Sequence, residues 1–194
     1  MLPTAFAELP PTQQLFAPPP PHSTTSVPVR SAPTAQINFL GAEGLVIHYD
    51  CQVPRTFDSA PLVLPATHDF GTGAIYRLKL SNIPDHPDRE LFPLLEIAPF
   101  TSRSQAFLAH SSVPIEFTDA DFDQVFTGNF VIKVVYLPEP EIQNTVGVAT
   151  LTNTNLAPGI DPIVEASQRG SILAIVRLGN RDMSNRASPP DVVR

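Results

Sequence analysis

Apolar and polar residues alternate with a period of two along several stretches of this chain, and that period marks half-buried strands. Residues 74–81 show it most cleanly: Ile75, Arg77 and Lys79 fall on one side, Tyr76, Leu78 and Leu80 on the other. Residues 130–137 and 171–178 are nearly continuous runs rich in β-branched side chains, stopped by Pro138 and Gly179. They predict the strongest strands of the molecule. Two shorter runs, 37–40 and 45–49, flank a Gly41-Ala42-Glu43-Gly44 turn. Residues 91–98 predict another strand, and Pro93 inside it points to a sheet edge or a bulge.

The period lengthens in two places. Thr118-Asp119-Ala120-Asp121 reads as a helix cap with acids in the first turn, followed by an apolar face of Phe122, Val125 and Phe126 and a closing Gly128. Asp161 caps a second helix with Pro162 at its first position, Glu165 early, Arg169 late and Gly170 at the end. Residues 141–152 fit neither period. The Ser- and Thr-containing stretch 101–112 reads as a polar loop or an exposed strand. Many strands with turn signals and two short helices predict a mainly β chain: an immunoglobulin-like β-sandwich in the broad sense, spanning 37–183. With one Cys and no Trp it is not an antibody-type domain.

Proline changes the picture at the N-terminus. The 194 residues hold 23 prolines, about twice ordinary usage of roughly 5%. Nine of them lie in residues 1–36, among only two charges, Glu8 and Arg30. This stretch predicts an extended, polyproline-like arm, which orders only when its own domain or a neighbouring subunit holds it. Leu9, Leu15, Phe16, Val27 and Val29 are the apolar residues expected to fill grooves on such a partner. Ala5-Phe6-Ala7 matches the small-residue pattern before a signal-peptidase site, without a charged start or an apolar core; it reads either as a sequence beginning inside or after a processed leader or, the better reading, as chance. Residues 184–194 form a polar tail with Pro189-Pro190.

Charge removes some functions. With Lys+Arg 12 against Asp+Glu 19, a net charge of -7 and only Lys79 and Lys133 as lysines, the chain has no basic stripe for nucleic acid. No apolar run reaches the ~20 residues of a membrane span. Asp119, Asp121 and Asp123 have calcium-loop spacing, but Gln124 and Phe130 stand where an EF-hand needs Gly and Glu, so helix capping accounts for them better. Asp85 and Asp88 make no stronger case. His22, His48, His68, His86 and His110 include no pair at i, i+2 or i, i+4, so no local metal clip exists. Cys51 and His48 are the only close Cys/His pair, and on a strand they point apart; Cys51 is expected to be a small buried or half-buried residue. Gly71-Thr72-Gly73 lacks the rest of a phosphate loop. No cofactor, metal or catalytic set is expected.

The run Asp123-Gln124-Val125-Phe126-Thr127-Gly128-Asn129-Phe130-Val131, followed by Val135-Tyr136-Leu137-Pro138, is distinctive, as is Asp161-Pro162-Ile163-Val164-Glu165-Ala166 with the run from Gly170 to Asn180. Together they resemble a family of uncharacterised, apparently exported proteins of planctomycete bacteria, over about residues 37–182. The resemblance implies a bacterial, extracellular or cell-surface setting and carries no catalytic residue. The function expected is a structural subunit of a filament or surface layer, polymerising through its arm onto the next copy of itself. The rival is a carbohydrate- or calcium-binding module on the same fold, for which Tyr49, Tyr76 and Tyr136 would be the only tyrosines on offer.

Overall fold

The computed structural model describes residues 33–139 and 147–179. Alternation assigns the faces of each strand. In β1 (Thr34–Gly41), Ala35, Ile37 and Phe39 turn inward; in β5 (Ala74–Ser81), Leu78 and Leu80 do. The remaining strands are β2 (Val46–Tyr49), β3 (Leu62–Val63), β4 (Ala66–Gly71), β6 (Leu94–Ile97), β7 (Val113–Phe117), β8 (Val131–Pro138), β9 (Ala149–Thr152) and β10 (Gly170–Leu178). They form a three-stranded sheet ordered β4-β1-β7 and a seven-stranded sheet ordered β3-β2-β5-β6-β10-β8-β9. β1 pairs antiparallel with β4 and parallel with β7.

Both sheets feed one apolar core, as in a β-sandwich. Phe39 lies near-parallel to Phe117 at 6.4 Å and edge-on to Phe70 at 6.0 Å, and Ile47, Leu80, Leu95 and Val135 meet them from the larger sheet. Each such side chain contributes about 1.5–3 kcal/mol through burial. A second, smaller cluster sits on the outer face of the large sheet. There α3 (Pro162–Arg169) lays Ala166 and Ile163 over Val134, Tyr136 and Ile175.

Mainly β character therefore holds, with several corrections of detail. Three helices are present among the described residues, since α1 (Ser102–Leu108) occupies the stretch expected to be loop or strand. Its reason is local: Thr101 and Ser104 form a reciprocal capping box that starts a helix without an acidic first turn. Residues 37–40 and 45–49 lie in strands on either side of their turn, as expected, and each pairs elsewhere. β1 and β2 belong to different sheets, and Gly41 (φ 133°) turns the chain where a Cβ would lie 2.2 Å from the Phe117 carbonyl oxygen. Pro93 marks neither edge nor bulge. β6 lies between β5 and β10, and Pro93, without an N–H to give, precedes it while its carbonyl accepts from Leu78 N at 2.9 Å. β1 starts at Thr34, with Ala35 buried, so ordered pairing begins before residue 37.

The helices at 118 and 161 start where the sequence placed them. Thr118 caps α2 (Asp119–Phe126) in a capping box with Asp121, and Asp161 caps α3 by accepting from Ile163 N at 2.8 Å. Asp121 does more than cap. It is buried beside Lys133 of β8, whose ammonium forms an ion pair with it and donates to the Glu116 carbonyl at 2.6 Å.

Candidate functional site

β2 runs into a loop at residues 50–59 that stands over the start of β5. Two carboxylates give it shape. Asp50 accepts from the backbone N–H of Arg55 at 2.8 Å and of Phe57 at 2.9 Å. Asp58 accepts from Cys51 N at 2.7 Å and Gln52 N at 3.1 Å. The loop base closes through Tyr49 N to Ser59 Oγ at 2.9 Å. Short acidic side chains of this kind stand in for a backbone ladder where a turn has none. The Cys51 N–H, helped by that of Gln52, holds the Asp58 carboxyl below its usual range.

Inside the loop the backbone is strained. Arg55 has φ 69° and Phe57 φ 50°, left-handed values that cost a non-glycine residue of order 1–3 kcal/mol. The Asp50 carboxylate grips both residues, and the Phe57 ring is held 5.5 Å from Phe92 with the Arg77 guanidinium 5.1 Å over its face. Arg77 also reaches Asp50 at 3.5 Å. This scaffold presents apolar groups to solvent. Val53 is 54% exposed and Ile75 63%, with Cys51 and Pro54 exposed beside them. Between loop and strand lies an open cleft of about 360 Å³, lined by residues 50–54 and 75–77.

Next to the cleft, the Tyr49 hydroxyl sits 2.6 Å from His68 Nε2, inside an aromatic cluster with Phe70 and Tyr76. Burial, then the neighbouring Cys51 thiol, pushes the phenol up to about 12. At neutral pH it keeps its proton, and the direction of its hydrogen bond with Nε2 follows the tautomer of the ring. Cys51 contradicts the expectation of burial: it is exposed, because Asp58 binds its N–H and turns the loop outward. His48 pairs across the sheet with Lys79.

The other sequence candidates are dispersed. Asp119 and Asp123 are exposed while Asp121 turns inward to Lys133, and among the described residues no three His, Cys, Asp or Glu side chains gather where a metal ion would sit. His86 packs on Phe126 at 4.4 Å, with Arg89 against the same ring. His110 is exposed. Gly71-Thr72-Gly73 is the β4–β5 connection, and Thr72 binds the Pro33 carbonyl through its N–H at 3.0 Å and its hydroxyl at 3.1 Å. Tyr136 is buried under α3 while Tyr49 and Tyr76 belong to the aromatic cluster, so the three tyrosines form no sugar-stacking platform. Leu9, Leu15, Phe16, Val27, Val29 and His22, and the 184–194 tail, lie outside the described residues.

The loop was missed because its signal is faint: two aspartates eight residues apart around Pro54, with a lone Val53. Among the described residues, no helix is long and apolar enough to cross a membrane. No protein-family model, no curated protein and no solved structure matches the chain.

Proposed function

We propose that this protein is a non-catalytic structural subunit of an extracellular or cell-surface assembly, a filament or surface layer, and that it binds further copies of itself through its N-terminal arm. The observation that carries most weight is the open cleft beside the 50–59 loop, whose walls include the exposed Val53 of the loop and the exposed Ile75 of β5. Monomers have little reason to maintain such a patch, and a subunit does. The Pro-rich composition of residues 1–36 supports the arm, and the resemblance to exported planctomycete proteins supports the setting. An immunoglobulin-like form of the sandwich belongs to the same proposal. Two sheets sharing one core support it, and the orders β4-β1-β7 and β3-β2-β5-β6-β10-β8-β9 are what it has to match.

Deletion is the test, and it should stop at residue 32, because Thr34 and Ala35 belong to β1. The full chain is expected to form large species in sedimentation velocity and ordered assemblies by electron microscopy, and the shortened chain to stay monomeric with unchanged circular dichroism. Equal assembly of the two chains sinks the arm.

A further inference from the structure

The arm needs an acceptor on the next subunit, and two of the four sheet edges are poor ones. β7 is an edge of the small sheet, but Pro114 within it has no N–H and the Glu116 carbonyl is already bound by Lys133. β3, an edge of the large sheet, is only two residues long. The cleft between the 50–59 loop and β5 is different. Resting on the reading above, we infer that this cleft is the acceptor for the segment from Leu15 to Pro21 of a second copy's arm.

Three features on the page fit that occupant. The first is apolar matching: Leu15 and Phe16 bring large side chains to a cleft whose walls include Val53, Pro54, Ile75 and Tyr76. The second is hydrogen-bond matching. Pro18-Pro19-Pro20-Pro21 offers carbonyl acceptors and no N–H donors. On the cleft's side, the exposed Gln52 amide can donate to them. Proline-rich segments characteristically lie in such apolar, aromatic-edged grooves, and a preformed groove lowers the ordering cost.

The third feature is reach. The chain outside the described fold ends at Pro33, held by Thr72. From Pro21 to Pro33 an extended chain covers about 37 Å at ~3.1 Å per residue. A folded body of about 150 residues is about 40 Å across. A segment from Leu15 to Pro21 can therefore reach a neighbour.

Cys51, the only cysteine of the chain and exposed at the cleft rim, provides the test. The full-length Ala17→Cys variant carries one thiol in the segment and one at the acceptor. Mild oxidation is expected to give a ladder beyond the dimer on non-reducing gels, with mass spectrometry of mixed ¹⁴N and ¹⁵N chains showing the 17–51 disulfide between different copies. Adding Cys51→Ser should reduce the ladder to dimers at most. Ile75→Asp, at a solvent-facing position across from Glu96, should weaken association about tenfold while the circular dichroism stays unchanged.

Dimers only, a 17–51 link within one chain, or wild-type assembly by Ile75→Asp overturns the inference. If such a result comes with a 1–32 deletion that is monomeric, the arm reading stands and only the cleft is wrong. A deletion that still assembles, or a full chain that is monomeric at all concentrations, removes both.

Discussion

Two isoleucines flank Glu96 on the outer face of the large sheet, and they have opposite fates. Ile75 of β5 and Ile175 of β10 both stand across from it. Ile75 is 63% exposed and Ile175 6%. The difference is α3, which covers the β8–β10 half of that face and leaves the β2–β5 half to solvent. The open half is kept soluble by a charged ladder: Lys79 with Glu90, Arg177 with Glu96, Arg77 with Asp50. In the covered half, the same alternation of side chains builds a second small core. One face of the sheet thus has a covered half and an open half, and what separates them is a helix of eight residues.

Ion pairs give the widest separation between buried and open environments. Lys133–Asp121 is nearly out of solvent, whereas Lys79–Glu90 is substantially exposed. Lys133→Met leaves a buried carboxylate without its cation and frees the Glu116 carbonyl, so it should cost about 3–5 kcal/mol. Lys79→Met should cost about 0.2–1 kcal/mol. Urea denaturation of the two variants measures both, and equal losses would remove the distinction. The next contrast truncates the two isoleucines. Ile175→Ala should cost about 2–5 kcal/mol, whereas Ile75→Ala should stay within about 0.5 kcal/mol. A large loss at Ile75 would mean that this side chain is packed in solution and the open face is not open.

These contrasts also mark how far the sequence could be read. Strands and capped helices were legible because their signals are local: alternation in 74–81, β-branched runs at 130 and 171, Thr118 and Asp161 as caps. The capping box of Thr101 and Ser104 was as local, but its serine sits where a glutamate usually signals the motif, so α1 went unseen. What alternation cannot report is which half of a face a distant helix will cover. Ile75 and Ile175 occupy equivalent positions in their patterns, and only the path of the chain from β9 to α3 separates them. The strained loop was opaque for a related reason. Its shape comes from Asp50 and Asp58 binding backbone N–H groups five to seven residues away, and no apolar period records such bonds. The charged identity of Lys133 likewise gave no hint of its buried partner Asp121, twelve positions earlier.

The smallest effect is invisible at neutral pH and lies beside the open cleft. Tyr49, held by His68 and raised to about 12 mainly by burial, ionises later in the folded chain than at the ordinary 10 of the free phenol. For a group raised on folding, the contribution to stability is complete below pH 10 and disappears as the pH climbs through 12. Between those values the unfolded chain releases its proton while the folded chain retains it, so stability falls with rising pH. Tyr49→Phe removes that dependence and leaves the aromatic packing against Phe70 in place. Phenolate absorbance should accordingly show one late-titrating tyrosine in the wild type that the variant lacks, and the wild type should lose more stability than Tyr49→Phe between pH 10 and 12. Identical titrations would mean that Tyr49 is as hydrated as an exposed phenol. The cleft wall next to it would then be looser than the hydrogen bond to His68 implies, and the shape of the cleft would have to come from Asp50 and Asp58 alone.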